Sequence, residues 1–319
     1  MTKSAAILEQ FYQAKGGFLS AAQLCHLIHV SEQTVAAEIA ELEKLGYKIE
    51  SHPHWGYRLL SVPDRLTADD IKARLKPQVI GSEVIVFSET ASTNDVVAFL
   101  GAAGGREGLV VFAESQTKGR GRRGRSWLSP RGKGLWFSVL LRPIFPPRAM
   151  SRITIAASVA IARAIRQTAA LDARIKWPND VTIGDRKVAG ILTELQNNVA
   201  ILGVGINVNC QREDFPPELA ATATSIALET GHRQDRVALA AAALAALDDC
   251  YRCAQTDFDA VIAEWARWCS TIGRQISLKM GERRIEGLAL ALDSDGALLL
   301  RQDNGRVERI LGADVTVEK

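Results

Sequence analysis

The hydrophobic pattern of the chain changes twice, near Gly81 and near Gly273, and this feature constrains the fold most strongly. Residues before Gly81 show short helical patterns, the middle of the chain alternates strands with helices, and the end places short strands between turn signals. A chain of 319 residues is also longer than one ordinary domain. We therefore predict an α+β protein with domains over residues 1–63, 81–271 and 272–319, and a linker over residues 64–80.

The first segment has the pattern of a winged helix-turn-helix. Three short helical patterns are followed by two strand-like runs around residues 52–54, and Ser20 and Ser31 are N-cap candidates for the second and third helices. The apolar stripe of the third helix consists of Val35, Ile39, Leu42 and Leu45. In this fold the third helix enters the DNA major groove. The residues predicted to contact DNA are Ser20, Ser31, Gln33, Thr34, Ala37 and Arg58.

The middle segment predicts a mixed sheet. Gly184 and Asp185 separate two strand-like runs and indicate an antiparallel hairpin, which argues against a parallel Rossmann sheet. From Gly273 onward several short strands follow one another closely, so we expect a small barrel. Asn304 and Gly305 predict a type I′ turn between two of its strands.

Charge is distributed unevenly along the chain. The formal net charge is only +3, yet residues 115–171 contain twelve Lys and Arg residues and no Asp or Glu. Such a local positive field predicts an anionic ligand. The chain has no long apolar run and no signal-peptide pattern at its start, so we expect a cytoplasmic protein. Five scattered cysteines predict reduced thiols, and the pair Cys250 and Cys253 indicates a helix face with no metal bound.

The strongest motif alternates Gly and Arg over residues 119–125 and follows Gln116, Thr117 and Lys118. In this Arg/Gly loop, glycines allow the backbone to approach a ligand closely, while guanidinium groups neutralise phosphate or carboxylate. A nonspecific nucleic-acid patch and a solvated charged loop are alternative interpretations, because charge alone does not identify a ligand.

Three further motifs lie within or next to predicted strands. In KWPND, from Lys176, an aromatic residue and a proline constrain the backbone around a lysine that suits a reaction between two anions. Ser92, Thr93 and Asn94 lie between a strand and a helix, where helix capping is the alternative role. The run from Gly203 to Asn207 lacks the third glycine of a dinucleotide fingerprint, which excludes an NAD site.

Taken together, these motifs resemble those of biotin protein ligases. The matching runs, in the order of that family, are STN at Ser92–Asn94, QTKGRGRRGRSW from Gln116, KWPND from Lys176, RKVAGILTE from Arg186 and GVGINVN from Gly203. The resemblance implies a class II synthetase-like catalytic domain and an SH3-like barrel at the end. It also implies a winged helix like that of the bifunctional members, which repress biotin-synthesis genes.

The resemblance also implies roles for individual residues. The catalytic residues would be Lys176, Arg120 and Arg122. Biotin would contact Ser92, Thr93, Asn94, Gln116, Arg120, Gly121, Arg122 and Lys176. The nucleotide would contact Gly119, Arg123, Gly124, Arg125, Asn179, Asp180, Gly203, Gly205, Asn207 and Ser225, with Ala223 and Thr224 beside Ser225 as further candidates.

The implied reaction uses ATP and biotin as substrates, with Mg²⁺ accompanying ATP; no dedicated metal site is evident in the sequence. The implied partners are the biotin carboxyl carrier domain of acetyl-CoA carboxylase, operator DNA, and a second copy of the chain once the adenylate is bound. No membrane partner is expected. A lipoate ligase and a DNA-binding regulator that senses biotin without catalysis are the alternative functions.

Overall fold

The computed structural model describes residues 1–196, 199–280, 282–312 and 314–317. The fold divides into two compact units: residues 1–76 with 235–241, and residues 77–234 with 242–319. The finer domain boundaries remain a prediction, and Gly281, Ala313 and the last two residues of the predicted barrel lie outside the described residues.

The first unit is a winged helix-turn-helix, as predicted. Its elements are α1 (Lys3–Gln13), α2 (Ala21–Ile28), α3 (Glu32–Lys44), β1 (Lys48–His52), β2 (Gly56–Ser61) and α4 (Ala68–Ala73). Ser20 and Gln23 form the expected capping box, and the Ser31 hydroxyl accepts from the Thr34 amide at 3.3 Å. Val35, Ile39 and Leu42 are buried, but Leu45 is 48% exposed, so its assignment to the apolar stripe is wrong.

Helix α4 lies within the segment predicted as a linker and is held by a buried carboxylate. Asp70 accepts hydrogen bonds from the hydroxyls of Tyr12 and Tyr47, the second at 3.1 Å, and from Arg74 Nε at 3.3 Å. Burial raises the pKa of both tyrosines. This part of the predicted linker is therefore ordered structure packed against the winged helix.

The second unit is built on a seven-stranded sheet with the order β3-β4-β5-β9-β8-β7-β6. Its strands are β3 (Glu83–Phe87), β4 (Leu109–Ala113), β5 (Gly134–Leu141), β6 (Ala173–Lys176), β7 (Asp180–Ile183), β8 (Arg186–Gln196) and β9 (Val199–Asn207). Among the described strand pairs of this sheet, β3 and β4 are parallel and the others are antiparallel. The expected hairpin at Gly184 and Asp185 joins β7 to β8 and is confirmed.

Five further α-helices occur among the described residues from 93 to 268. They are α5 (Thr93–Ala102), α6 (Ser151–Ala169), α7 (Ile226–Thr230), α8 (Arg236–Thr256), which has residues in both units, and α9 (Phe258–Trp268). Helix α5 packs on β4, β5 and β9, and α6 packs on β6, β7 and β8. Every residue of β4 and β5 is buried, which explains their continuous apolar sequence. Ser138 in β5 is a polar residue within this apolar sequence, and its hydroxyl is fully buried.

The end of the chain forms a five-stranded antiparallel sheet with the order β13-β12-β11-β10-β14. Its strands are β10 (Gln275–Met280), β11 (Arg283–Leu292), β12 (Leu298–Arg301), β13 (Val307–Ile310) and β14 (Asp314–Val317). The prediction of a type I′ turn is wrong: Gly305 has φ +80°, but Asn304 does not share the positive φ that this turn requires. The Gly305 amide instead donates to the Gln302 carbonyl at 2.9 Å, so the loop also includes Asp303.

Candidate active site

A cavity of about 430 Å³ crosses strands β8 and β9 in the second unit. It brings together residues that are far apart in the sequence. The predicted site residues in its lining are Ser92, Thr93, Asn94, Gln116, Arg120, Gly121, Arg122, Arg125, Lys176, Asn179, Asp180, Gly203, Gly205 and Asn207. Five predicted residues are not in this lining: Gly119, Arg123, Gly124, Ser225 and the further candidate Thr224.

One end of the cavity is formed by hydroxyl and amide groups at the start of α5. Ser92 occupies the N-cap position, but its side chain makes no capping hydrogen bond, so capping does not account for it. Gln116 Oε1 accepts from the Thr93 amide at 2.8 Å and lies 3.1 Å from the Thr93 hydroxyl oxygen, while Gln116 Nε2 donates to Ser129 at 2.9 Å. Neutral donors and acceptors are thus held in fixed positions around this end.

The Arg/Gly loop is attached to the protein by its arginine side chains. Arg120 forms a bidentate pair with Asp95, at 2.6 and 2.9 Å, which holds the pKa of that carboxyl below its usual range. Arg122 Nη1 donates to Asn179 Oδ1 at 3.2 Å, and Arg123 Nη1 donates to the Lys279 carbonyl at 3.2 Å. These contacts do not fit the alternative of a freely solvated loop.

Lys176 ends strand β6 in a turn that its neighbours hold in place. The Trp177 amide donates to Thr271 Oγ1 at 3.1 Å, and the Trp177–Pro178 peptide is cis. Asn179 Nδ2 donates to the Ile191 carbonyl at 2.8 Å, and the Ile191 amide donates to the Asn179 carbonyl at 3.0 Å. The turn is locked as the sequence indicates, and it places a half-buried lysine in the cavity lining.

Glycines in β9 allow two side chains to lie directly on the strand. A Cβ at Gly203 would lie 2.4 Å from Asn94 Oδ1, and a Cβ at Gly205 would lie 2.4 Å from Trp127 Nε1. No larger residue fits at either position without displacing its neighbour. The two glycines of the GVGIN motif therefore determine the shape of the cavity floor, because they have no side chains.

Several lining or supporting residues were missed by the sequence analysis. Trp127 belongs to the quoted motif, and Lys187 lies with its Nζ 5.1 Å from the Trp127 ring and 2.6 Å from Asp180 Oδ1. Ser138 and Glu194 hydrogen-bond Asn94. The one available signal was Ser138, a hydroxyl in the apolar run WFSVLL, because a buried hydroxyl requires a partner.

Ser225 does not support its predicted nucleotide contact. Its fully buried hydroxyl accepts from the Leu228 amide at 3.1 Å and donates to the Cys210 carbonyl at 2.6 Å, so it caps α7. A serine before a helix is ambiguous from sequence, and here the capping role applies. Its neighbours Thr222 and Ala223 do line the cavity.

Much of the basic charge in residues 115–171 is paired with carboxylates from elsewhere. Such pairs join Lys133 to Asp214 at 3.1 Å, Arg163 to Glu264 at 2.6 Å and Arg166 to Asp172 at 2.5 Å. The cysteine pair lies on α8, where burial raises the pKa of Cys250 to about 12. In the described ranges no group of three or more His, Cys, Asp or Glu residues could hold a metal.

In the first unit, the predicted DNA-contacting residues are only partly available. Gln33 and Ala37 on α3 are exposed, whereas Ser20 and Ser31 cap helices. Arg58 Nε donates to Glu50 at 2.9 Å, and its guanidinium lies 4.6 Å from the Phe18 ring.

Comparison with known proteins agrees with this fold and site, which define a protein of the biotin and lipoate ligase class. Residues 86–210 match the Biotin/lipoate A/B protein ligase family, residues 3–58 an HTH domain, and residues 271–317 the Biotin protein ligase C terminal domain. Among curated relatives, the Bifunctional ligase/repressor BirA of Bacillus subtilis is 35% identical over 97% of each chain. The protein of the same name from Escherichia coli is 31% identical over 95% of this chain and 94% of its own.

A solved structure extends the comparison to three dimensions. The biotin protein ligase of Aquifex aeolicus, determined with biotin and ATP, superimposes with a TM-score of 0.65 at 30% identity, covering 75% of this chain and 99% of its own. The chain therefore belongs to the biotin protein ligase family, and its similarity to the two bifunctional ligase/repressors extends over nearly its whole length. In the part of the chain that the structure describes, no helix is long and apolar enough to cross a membrane.

Proposed function

We propose that this chain is an ATP-dependent biotin protein ligase that also acts as a biotin-responsive repressor. The observation that carries the proposal is the single cavity in which the lysine of KWPND, the Arg/Gly loop and the amide and hydroxyl end of α5 meet. The family relationship favours biotin over lipoate, because the C-terminal match and the curated relatives are biotin ligases.

The two ends of the cavity suit the two ends of the adenylate. Thr93, Asn94 and Gln116 offer neutral hydrogen-bonding groups that fit the ureido ring of biotin, together with Ser92. The nucleotide would lie toward Gly205, Asn207 and Trp127, with Asn179, Asp180 and Arg125 nearby. Arg123 acts through the loop, since its side chain is bound to the C-terminal sheet. In the same loop, Gly119 lets the backbone lie close to the Trp127 carbonyl, which a Cβ would approach to 2.4 Å, and Gly124 adopts a positive φ of +72°.

The first chemical step joins two anions. A biotin carboxylate oxygen attacks the α-phosphorus of ATP, the bond to the bridging oxygen breaks, and pyrophosphate leaves with the electron pair. The Lys176 ammonium and the Arg120 and Arg122 guanidinium groups stabilise the charge that develops on the phosphate oxygens. Mg²⁺ enters as part of the ATP substrate, because the triphosphate needs charge neutralisation and the described residues offer no carboxylate cage.

The second step transfers biotin to a protein. The neutral amine of a carrier-domain lysine attacks the acyl carbon of biotinyl-5′-AMP, and the bond from that carbon to the phosphate oxygen breaks. AMP leaves with the electron pair, and the amine nitrogen loses a proton to solvent as the amide bond forms. No covalent bond to the enzyme is required. The acceptor is a biotin carboxyl carrier domain, such as that of acetyl-CoA carboxylase, and the reaction takes place in the cytoplasm.

The repressor role rests on the winged helix. Operator DNA would bind to α3 and to the wing, which is the hairpin of β1 and β2. The chain would dimerise after it binds the adenylate, so that two winged helices bind one operator. The domains over residues 1–63, 81–271 and 272–319 would carry DNA binding, catalysis and support for the Arg/Gly loop.

The test is a labelling assay with the full chain. The protein is incubated with ATP, Mg²⁺, labelled biotin and a purified carrier domain, and protein-bound label is measured beside a carrier whose acceptor lysine is replaced by arginine. ATP-dependent label on the parent carrier alone supports the ligase. Binding of labelled biotin without transfer would show a sensor without catalysis, and labelling with lipoate in place of biotin would show a lipoate ligase.

A further inference from the structure

A chain of short hydrogen bonds runs behind the neutral end of the cavity. The hydroxyls of Thr93 and Ser138 lie 2.7 Å apart, Ser138 Oγ lies 2.5 Å from Asn94 Oδ1, and Asn94 Nδ2 lies 2.6 Å from Glu194 Oε2. Thr93, Ser138 and Asn94 are all buried. The chain links α5, β5 and β8, three elements that the sheet order brings together.

Glu194 sets the direction of this chain. A carboxylate only accepts hydrogen bonds, so the Asn94 atom that faces it must be the amide nitrogen. Asn94 Oδ1 then faces Ser138 and accepts its proton. Because the Ser138 proton is used there, Thr93 must donate to Ser138. The Thr93 hydroxyl oxygen can therefore only accept a hydrogen bond from a group in the cavity. The Gln116 carbonyl accepts from the Thr93 amide at 2.8 Å.

The same carboxylate also reaches the Arg/Gly loop. Arg120 Nη2 lies 3.6 Å from Glu194 Oε2 and 2.6 Å from Asp95 Oδ1. Glu194 is 28% exposed and lies at the junction of the buried chain and the loop. Its two contacts therefore connect the neutral end of the cavity with the loop that closes over the charged end.

We propose that Glu194 is a positioning residue that fixes the hydrogen-bond polarity of the ring end and anchors the Arg/Gly loop through Arg120. A ligand group that meets Thr93 must then be a hydrogen-bond donor, which matches the N–H groups of a ureido ring. The proposal rests on the proposed function and adds to it a residue that controls both recognition of the ring and retention of the adenylate.

The experiment separates the two roles by substitution. Glu194→Gln keeps the shape of the side chain, but its amide both donates and accepts, so the chain can reverse and Arg120 loses a charged partner. We expect the KM for biotin to rise about tenfold, as for loss of one well-placed hydrogen bond, with kcat changed less than about threefold. Loss of labelled adenylate on a desalting column should also accelerate.

Two further variants each affect one branch. Ser138→Ala cuts the buried chain, and we expect a higher KM for biotin with unchanged adenylate retention. Asp95→Asn weakens the other anchor of Arg120, and we expect faster adenylate loss with a nearly unchanged KM for biotin. In the Ser138→Ala background, Glu194→Gln should no longer raise the KM further, because the chain is already cut.

The matched control is Glu264→Gln. Glu264 is 25% exposed and pairs with Arg163 at 2.6 Å; unlike Arg120, the arginine beside Glu194, Arg163 does not line the cavity. If the parent makes adenylate and Glu194→Gln leaves both KM and retention within about twofold, the proposal is overturned. It is also overturned if the rise in KM and the loss of retention merely follow a lowered Tm and occur equally in the control. Should Glu194→Gln fail to fold, the other two variants still test the proposal. It stands if Ser138→Ala raises only the KM for biotin and Asp95→Asn accelerates only adenylate loss, and it is overturned if neither variant shows its expected change. A parent without adenylate formation would instead refute the proposed function.

Discussion

The Arg/Gly loop and helix α3 are both expected to face an anion, yet they carry opposite charge. The loop places four arginines within residues 119–125, whereas residues 31–45 contain four glutamates and one lysine. Lys44 pairs with Glu41 at 2.7 Å, and Glu38 accepts from Ser4 at 2.6 Å, so the exposed α3 surface remains acidic. Electrostatics therefore favour tight binding of a small anion in the cavity and weak binding of DNA by one winged helix.

The largest expected effect is loss of the cavity cation. Lys176→Ala should slow adenylate formation by a factor on the order of 10² or more, because one preorganised charge at a developing anion is lost. Biotin binding should survive, since the neutral end of the cavity is unchanged. The measurement is pyrophosphate release, with Lys44→Ala on α3 as a control that leaves the rate unchanged. A near-parental rate in Lys176→Ala would mean that this lysine is not the catalytic cation.

The next effect concerns retention of the intermediate. Arg122→Gly removes the guanidinium that bonds Asn179, and adenylate should still form but dissociate about tenfold faster or more, as for loss of a charge-assisted hydrogen bond. Released anhydride then labels bystander proteins, which a blot for biotin detects. Equal retention of labelled adenylate by parent and variant on a desalting column would contradict this role.

A smaller effect is expected at the floor of the cavity. Gly205→Ala would place a Cβ 2.4 Å from Trp127 Nε1 and so displace the indole from β9. Overpacking of this kind costs about 1–3 kcal/mol, and we expect it to appear as a KM for ATP raised about tenfold, with a smaller change in the KM for biotin. Steady-state kinetics with each substrate varied in turn separate the two constants. An equal rise in both would place Trp127 outside the nucleotide end.

These regions also show what sequence could predict and why. Lys176 and Asn179 lie in one short turn, so the local motif was sufficient to indicate a locked lysine. Asn94 is 44 residues from Ser138 and 100 residues from Glu194, and only the order of the strands brings them together. Ser225 misled because a serine before a helix caps it as readily as it binds a ligand.

The smallest expected effect is on DNA. Because the α3 surface is acidic, it neutralises few DNA phosphates and few counterions are released from the DNA, so a single winged helix should bind weakly. Two winged helices held on one dimer bind more tightly, because the second binds at a high effective concentration. We expect a specific mobility shift on the promoter of the chain's own biotin-synthesis genes with biotin plus ATP, and little shift with protein alone. Tight binding by unliganded monomer would refute this coupling.

Glu32→Lys sharpens the same comparison by giving α3 a cation near its N-terminus. Gln33 beside it can still pair with adenine, and Glu side chains can accept from cytosine, so base reading on α3 does not require a basic helix. If the added lysine reaches a phosphate, binding strengthens at low salt and the logarithmic salt slope steepens by about one per winged helix. Adenylate formation should not change, because residue 32 lies outside the cavity lining. Absence of a specific shift in both parent and variant under every condition would reduce the first unit to a scaffold.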